Sequence, residues 1–236
     1  MRPLLVRAHL AHGLAHGSPW ATSLDGLLAA ELWDEHKSQE RSCGREVPRL
    51  DPSISPPDLD LPLARCELAG SDSWHWAATC AHSDIPVDRP TVRYWTARPD
   101  HTALGDLVQT LPASISERQG PYRARIMPLL ATTTASVCWQ GIGDIDAIRS
   151  ILEPVVAIGK KRSQGEGHVL RWEFATLDID GCAAAHLYPD GSLGRTTPAA
   201  CLSKIDIPQT GGFGTAGLRP PYMHPLRKRP LHLPRQ

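Results

Sequence analysis

The 236 residues hold 25 Lys and Arg against 25 Asp and Glu, so the formal charge is zero, yet no carboxylate side chain follows Asp206. The segment after it is therefore +5 (Arg219, Arg227, Lys228, Arg229, Arg235) and everything before it −5, which fits nucleic acid, an acidic partner or an ordinary solubilising tail. No run of 18 apolar residues marks a membrane span, and six cysteines without a C-x-x-C pair argue against a zinc ribbon or a disulfide scaffold.

Leu4, Val6, Ala8 and Leu10 alternate with Leu5, Arg7 and His9, the period-2 pattern of a strand with one packed face. Arg7, His9 and His12 interrupt the stretch, so it lacks a signal-peptide core, and a cytoplasmic protein is expected. Ser23 is placed to cap a helix with Leu24, Leu27, Leu28 and Leu32 on one face, ending by about Arg41. From 41 to 121 proline recurs and breaks long elements, leaving strand-like pieces at Leu63–Leu68, Trp74–Cys80 and Thr91–Thr96 and a helix near Leu104–Leu111. This reads as an elaborated insertion.

Order returns with two β-rich segments, Tyr122–Leu130 and Thr132–Trp139, expected to pair with each other. Asp144 then caps a helix carrying Ile145, Ile148, Ile151, Leu152 and Val155, which Pro154 must end or kink. Leu170, Trp172 and Phe174 alternate with Val169, Arg171 and Glu173 in a half-buried strand. Residues 181–236, rich in Gly and Pro, read as an irregular basic extension of one domain spanning 1–236. With the insertion removed the order is βαββαβ, so the expected class is α+β with a ferredoxin-like (RRM-like) core.

Between the second helix and the last strand lies Ile158-Gly159-Lys160-Lys161-Arg162-Ser163-Gln164-Gly165-Glu166-Gly167-His168. Glycines permit close backbone approach and positive φ, and three adjacent cations supply donors for phosphate, so the loop suits a polyanion. The loop does not fit the P-loop pattern: Gly159 to Gly165 is one residue too long, no Lys-Ser/Thr pair follows, and the order is helix–loop–strand. The dinucleotide fingerprint fails on the same order. The competing reading is a solvated connection carrying a charge run. Cys66, His75, Cys80 and His82 share one window, but their spacing fits no zinc pattern, and idle thiols are expected there. No metal or other cofactor is expected.

The loop, the segment Leu24-Asp25-Gly26-Leu27-Leu28-Ala29 and the segment Gly217-Leu218-Arg219-Pro220-Pro221-Tyr222 resemble the RAMP superfamily of CRISPR-associated proteins, in particular its type IV subunit. The resemblance covers roughly residues 1–40 and 122–180 plus the tail. It implies a non-catalytic RNA-binding subunit of a guide-RNA (crRNA) effector complex that caps the 5′ end of the guide. Its partners would then be the guide RNA, the backbone and large subunits, and target DNA through the complex, with no membrane. On that reading Lys160, Lys161 and Arg162 and the amides of Gly159, Gly165 and Gly167 take phosphates, and Arg7 and Arg171 extend the track. Arg227, Lys228 and Arg229 reach RNA from the tail, Trp20 offers a stacking platform, and Tyr222, Met223 and Leu226 dock on a neighbour. Three rivals stay open: the repeated subunit paving the guide filament, a metal-independent endoribonuclease using His9, His12 or His16 with Lys161, and a free-standing nucleotide-binding enzyme.

Overall fold

Leu4, Val6, Ala8 and Leu10 are all buried, and they form the inward face of the central strand of the largest sheet. The computed structural model describes residues 1–236 except 19, 48–49, 71, 85–90, 108–109, 111–113, 121, 206–209 and 236. In chain order the strands are β1 (Arg2–Leu10), β2 (Leu14–His16), β3 (Arg65–Cys66), β4 (His75–Trp76), β5 (His82–Ser83), β6 (Thr91–Ala97), β7 (Arg125–Thr132), β8 (Ser136–Gly143), β9 (Val169–Thr176), β10 (Phe213–Gly217) and β11 (Lys228–His232). The helices are α1 (Leu24–Ser42), α2 (His101–Leu107), α3 (Ile145–Leu152), α4 (Gly181–His186) and α5 (Ala199–Leu202). The chain is thus mixed α and β, its paired strands are antiparallel, and no helix among the described residues is long and apolar enough to cross a membrane.

The main sheet runs β5-β8-β1-β9, with Val6 opposite both Trp139 and Phe174. The first and last strands of the expected core are therefore neighbours. Ser23 Oγ accepts the Gly26 amide at 3.2 Å and caps α1, which contributes Leu24, Leu27 and Leu28 to the core. Asp144 accepts the amides of Asp146 and Ala147 and starts α3, which ends at Leu152 just ahead of Pro154. Ile148 and Leu152 meet the same core. Each fully buried leucine or isoleucine contributes about 1.5–3 kcal/mol relative to an exposed one.

Four expectations need correction. β7 and β8 do not pair with each other; β7 joins β2 and β6 in a separate three-stranded sheet, and β8 lies between β1 and β5. Leu170 is 64% exposed, because the register shifts between His9 and Leu10: His9 faces Arg171 and Leu10 faces Val169. The 41–121 stretch is not appended to a finished core, since Leu61, Leu63, Trp74, Trp76 and Ala78 belong to the main cluster. The 181–236 stretch is not irregular throughout: it carries α4, α5 and the β10–β11 hairpin, with Leu218 and Leu231 buried. Of the helix expected near Leu104–Leu111, the structure shows α2, and most of the remainder lies outside the described residues.

Candidate nucleic-acid interface

The cationic loop is closed at its base by backbone pairing. The Ile158 amide donates to Gly167 O at 2.9 Å, the Val169 amide to Val156 O at 2.9 Å, and the Lys160 amide to Ala15 O at 2.8 Å. Arg162–Gln164 form a single 3-10 turn, entered through Lys161 at φ 59° and left through Gly165 at φ 85°. Gly167, at φ 65°, would place a Cβ 1.9 Å from Ile158 O, and a Cβ on Gly159 would lie 2.5 Å from Ala15 O. These two glycines are needed by the chain's own close approach. The Gly165 amide is already donated to Arg162 O at 3.1 Å, which corrects the expectation that it faces a ligand.

An open cleft beside the loop is lined by Gly159, Lys160 and Arg162, by Gly26 and Leu27 of α1, and by Tyr222 of the tail. The three segments singled out in the sequence, up to 197 positions apart, therefore meet. Their meeting is fixed by hydrogen bonds: the Tyr222 hydroxyl donates to the Asp25 carboxylate, 2.8 and 2.7 Å from its two oxygens. Asp25 is fully buried, and the buried Arg195 guanidinium stands 3.9 Å away. Arg195 also donates to the carbonyls of Trp76, Ala78 (2.7 Å) and Leu218 (3.1 Å), so this charge pair joins helix, insertion and tail.

The cations of the loop differ in what they touch. Lys160 is exposed, and its Nζ would lie 2.8 Å from a Cβ on Gly17 across the cleft. Lys161 Nζ sits 3.2 Å from the centroid of Trp95 on β6, a cation–π contact that ties the loop to the second sheet. Glu166 anchors the loop to β6 as well, through Arg93 at 2.7 Å. Arg162, half exposed, is 3.7 Å from Glu31; burial pushes the Glu31 carboxyl up, against the pull of Arg162.

Other expected contacts are engaged elsewhere. Arg7 donates to Glu173 at 2.8 Å and to both oxygens of Asp84 at 2.8 and 3.2 Å, so two carboxylates already neutralise it. Although burial works the other way, hydrogen bonds from Arg7, Ser136 and Cys138 hold the Asp84 carboxyl well below the usual range. Arg227 is buried and bonded to Asp58 at 2.6 Å and Pro56 O at 2.7 Å. Arg7, held by two carboxylates, and Arg227, buried and sharing Asp58 with Arg219 at 3.0 Å, are therefore engaged within the chain and less available to phosphate. Arg171, Lys228 and Arg229 stay exposed, the last donating to the Leu226 and Lys228 carbonyls. Trp20 is half-buried. Of the histidines weighed for cleavage, His9 pairs with Glu173 at 3.0 Å, His16 is buried against Thr132 Oγ1 at 2.9 Å, and His12 is exposed. Burial lowers the His16 pKa.

The cysteine and histidine window separates in space. The Cys80 thiol donates to Trp20 O at 3.2 Å, and burial pushes it up to about 12; His82 lies 3.1 Å from Cys138 Sγ. Cys66 and His75 instead meet His186 and Cys201, from α4 and α5, in a buried cluster. A hydrogen bond with Cys201 pulls the Cys66 thiol down and pushes the Cys201 thiol up, and burial pushes the His75 imidazole down to about 4. Sequence reasoning missed His186 and Cys201, which fall 15 positions apart in a segment read as irregular.

No family model matches this chain, and no curated protein matches it.

Proposed function

We propose that this chain is a non-catalytic RNA-binding subunit of a CRISPR guide-RNA complex, built on a ferredoxin-like RAMP core and seated at the 5′ end of the guide. The carrying observation is the cleft: three segments remote in sequence line one opening, and two exposed cations of the glycine-rich loop border it. The strand order β9-β1-β8, with α1 and α3 sharing one core, supports the ferredoxin-like reading. The proposed track is Lys160, Lys161 and Arg162, extended by Arg171, Lys228 and Arg229. Exposed Phe213, Met223 and Leu226 on the tail favour contact with a neighbouring subunit. Tyr222 contributes its hydroxyl to Asp25 and holds the tail in place.

Single-stranded RNA binding should weaken steeply with salt, because each neutralised phosphate releases counterions. Replacing Lys160, Lys161 and Arg162 together by alanine is expected to reduce the log–log salt slope by about 2, at about 0.7 per lost contact on a single strand. Fluorescence anisotropy with a repeat-derived RNA over a salt series measures this. An unchanged slope would remove the loop from the interface.

A further inference from the structure

Cys66 and His75 lie on the short antiparallel pair β3–β4, in which Cys66 faces His75 and Arg65 faces Trp76. His186 ends α4 and Cys201 lies in α5. All four are buried, and their sulfur and nitrogen atoms lie within 4.8 Å of one another. Four edges of the figure they form are resolved. Sulfur to sulfur is 3.9 Å, Cys66 to His186 and Cys201 to His75 are each 3.6 Å, and nitrogen to nitrogen is 3.3 Å.

A tetrahedral zinc with bonds of about 2.3 Å to sulfur and about 2.0–2.1 Å to nitrogen has edges of about 3.8, 3.5 and 3.3 Å for those three kinds of pair. The match covers each kind. The ring orientations add an independent constraint. His75 Nδ1 lies 3.0 Å from Trp76 O and His186 Nδ1 lies 2.9 Å from Cys182 O. A carbonyl can only accept, so each Nδ1 carries the proton, and each neutral ring turns a bare Nε2 lone pair inward. Two lone pairs facing each other at 3.3 Å in a buried site repel, and a cation bound between them would remove that repulsion.

We propose that Cys66, His75, His186 and Cys201 bind one zinc ion in a closed, structural Cys2His2 site. Binding forms two Zn–S and two Zn–N bonds and releases the two thiol protons to solvent. One divalent cation, two thiolates and two neutral imidazoles leave a centre of zero net charge, which suits burial. Four protein ligands leave no position for substrate, so the role is to hold structure. The ion staples the β3–β4 pair to α4 and α5 across more than a hundred residues of chain, where closing a long loop gives a large stabilisation. Arg195 supports the ligand His75 from behind, since both donate to Trp76 O.

The full-length chain, purified without chelator, should carry one zinc per molecule by plasma mass spectrometry. Exchange with cobalt(II) under reducing conditions should give the intense visible bands of a tetrahedral ion and a near-ultraviolet thiolate-to-cobalt band. Cys201→Ser should abolish stoichiometric zinc, whereas Cys80→Ser and Cys182→Ser should keep it. If Cys201→Ser does not fold, the cobalt spectrum of the wild-type chain decides. A wild-type chain that takes up neither zinc nor cobalt in that form overturns the proposal, as does full zinc content in Cys66→Ser/Cys201→Ser.

Discussion

Replacing Arg195 with leucine is expected to destabilise the fold by about 3–5 kcal/mol, the cost of leaving one member of a buried ion pair without its partner. Asp25 would keep only the Tyr222 hydroxyl and its own helix terminus, and the Ala78 and Leu218 carbonyls would each lose a charged donor. Both charges are essentially inaccessible, with side chains 2% and 0% exposed, so water cannot substitute. For a chain of this size the melting temperature should fall by about 10 °C or more. Asp25→Leu combined with Arg195→Leu should cost less than the two single changes summed, because neither charge is then stranded. Urea denaturation of the three variants measures it; a loss below about 1 kcal/mol for Arg195→Leu would show that the pair is not the joint between helix, insertion and tail.

Gly167→Val is the second large effect, with an expected cost of about 3 kcal/mol or more. The substitution places a branched side chain at φ 65°, where L residues are strained, and its Cβ would stand 1.9 Å from Ile158 O. That carbonyl belongs to a fully buried residue whose amide bonds Gly167 O, so relief requires opening the clamp at the base of the loop. Gly165→Ala provides the contrast. Gly165 also has positive φ but meets nothing within 4 Å, so only local strain of about 1 kcal/mol is expected. Thermal denaturation separates the two; equal losses would mean that φ alone, and not the close backbone approach, dictates glycine at 167.

The elements that bury one apolar face were legible in the sequence. The alternation of β1 and the spacing of α1 and α3 follow from which side chains must leave water, and Ser23, Asp144 and Pro154 mark where two of those elements start or stop. Partners were not legible. Period 2 tells which face of a strand is buried but not which strand lies beside it, so it carries no sign of the pairing of β7 with β2 and β6. The same gap explains Arg7, read as a free cation because Asp84 and Glu173 are remote in sequence. It also applies to the buried Cys66–His75–His186–Cys201 cluster: Cys66 and His75 share a window with Cys80 and His82, but these two point to Trp20 and Cys138. The neighbours of Cys66 and His75 in space come from two short helices more than a hundred residues away. The loop was recognised for its charge and glycines, yet two of its glycines serve the loop's own closure.

Purifying the tagged full-length chain from its native cells and sequencing the RNA that accompanies it tests the proposed function most directly. A guide-RNA subunit should bring down short transcripts of uniform 5′ repeat-derived sequence followed by variable spacers, and loss of Lys160, Lys161 and Arg162 should reduce that yield. Recovery of no RNA above a mock purification, or of RNA with no common 5′ sequence, would contradict the assignment.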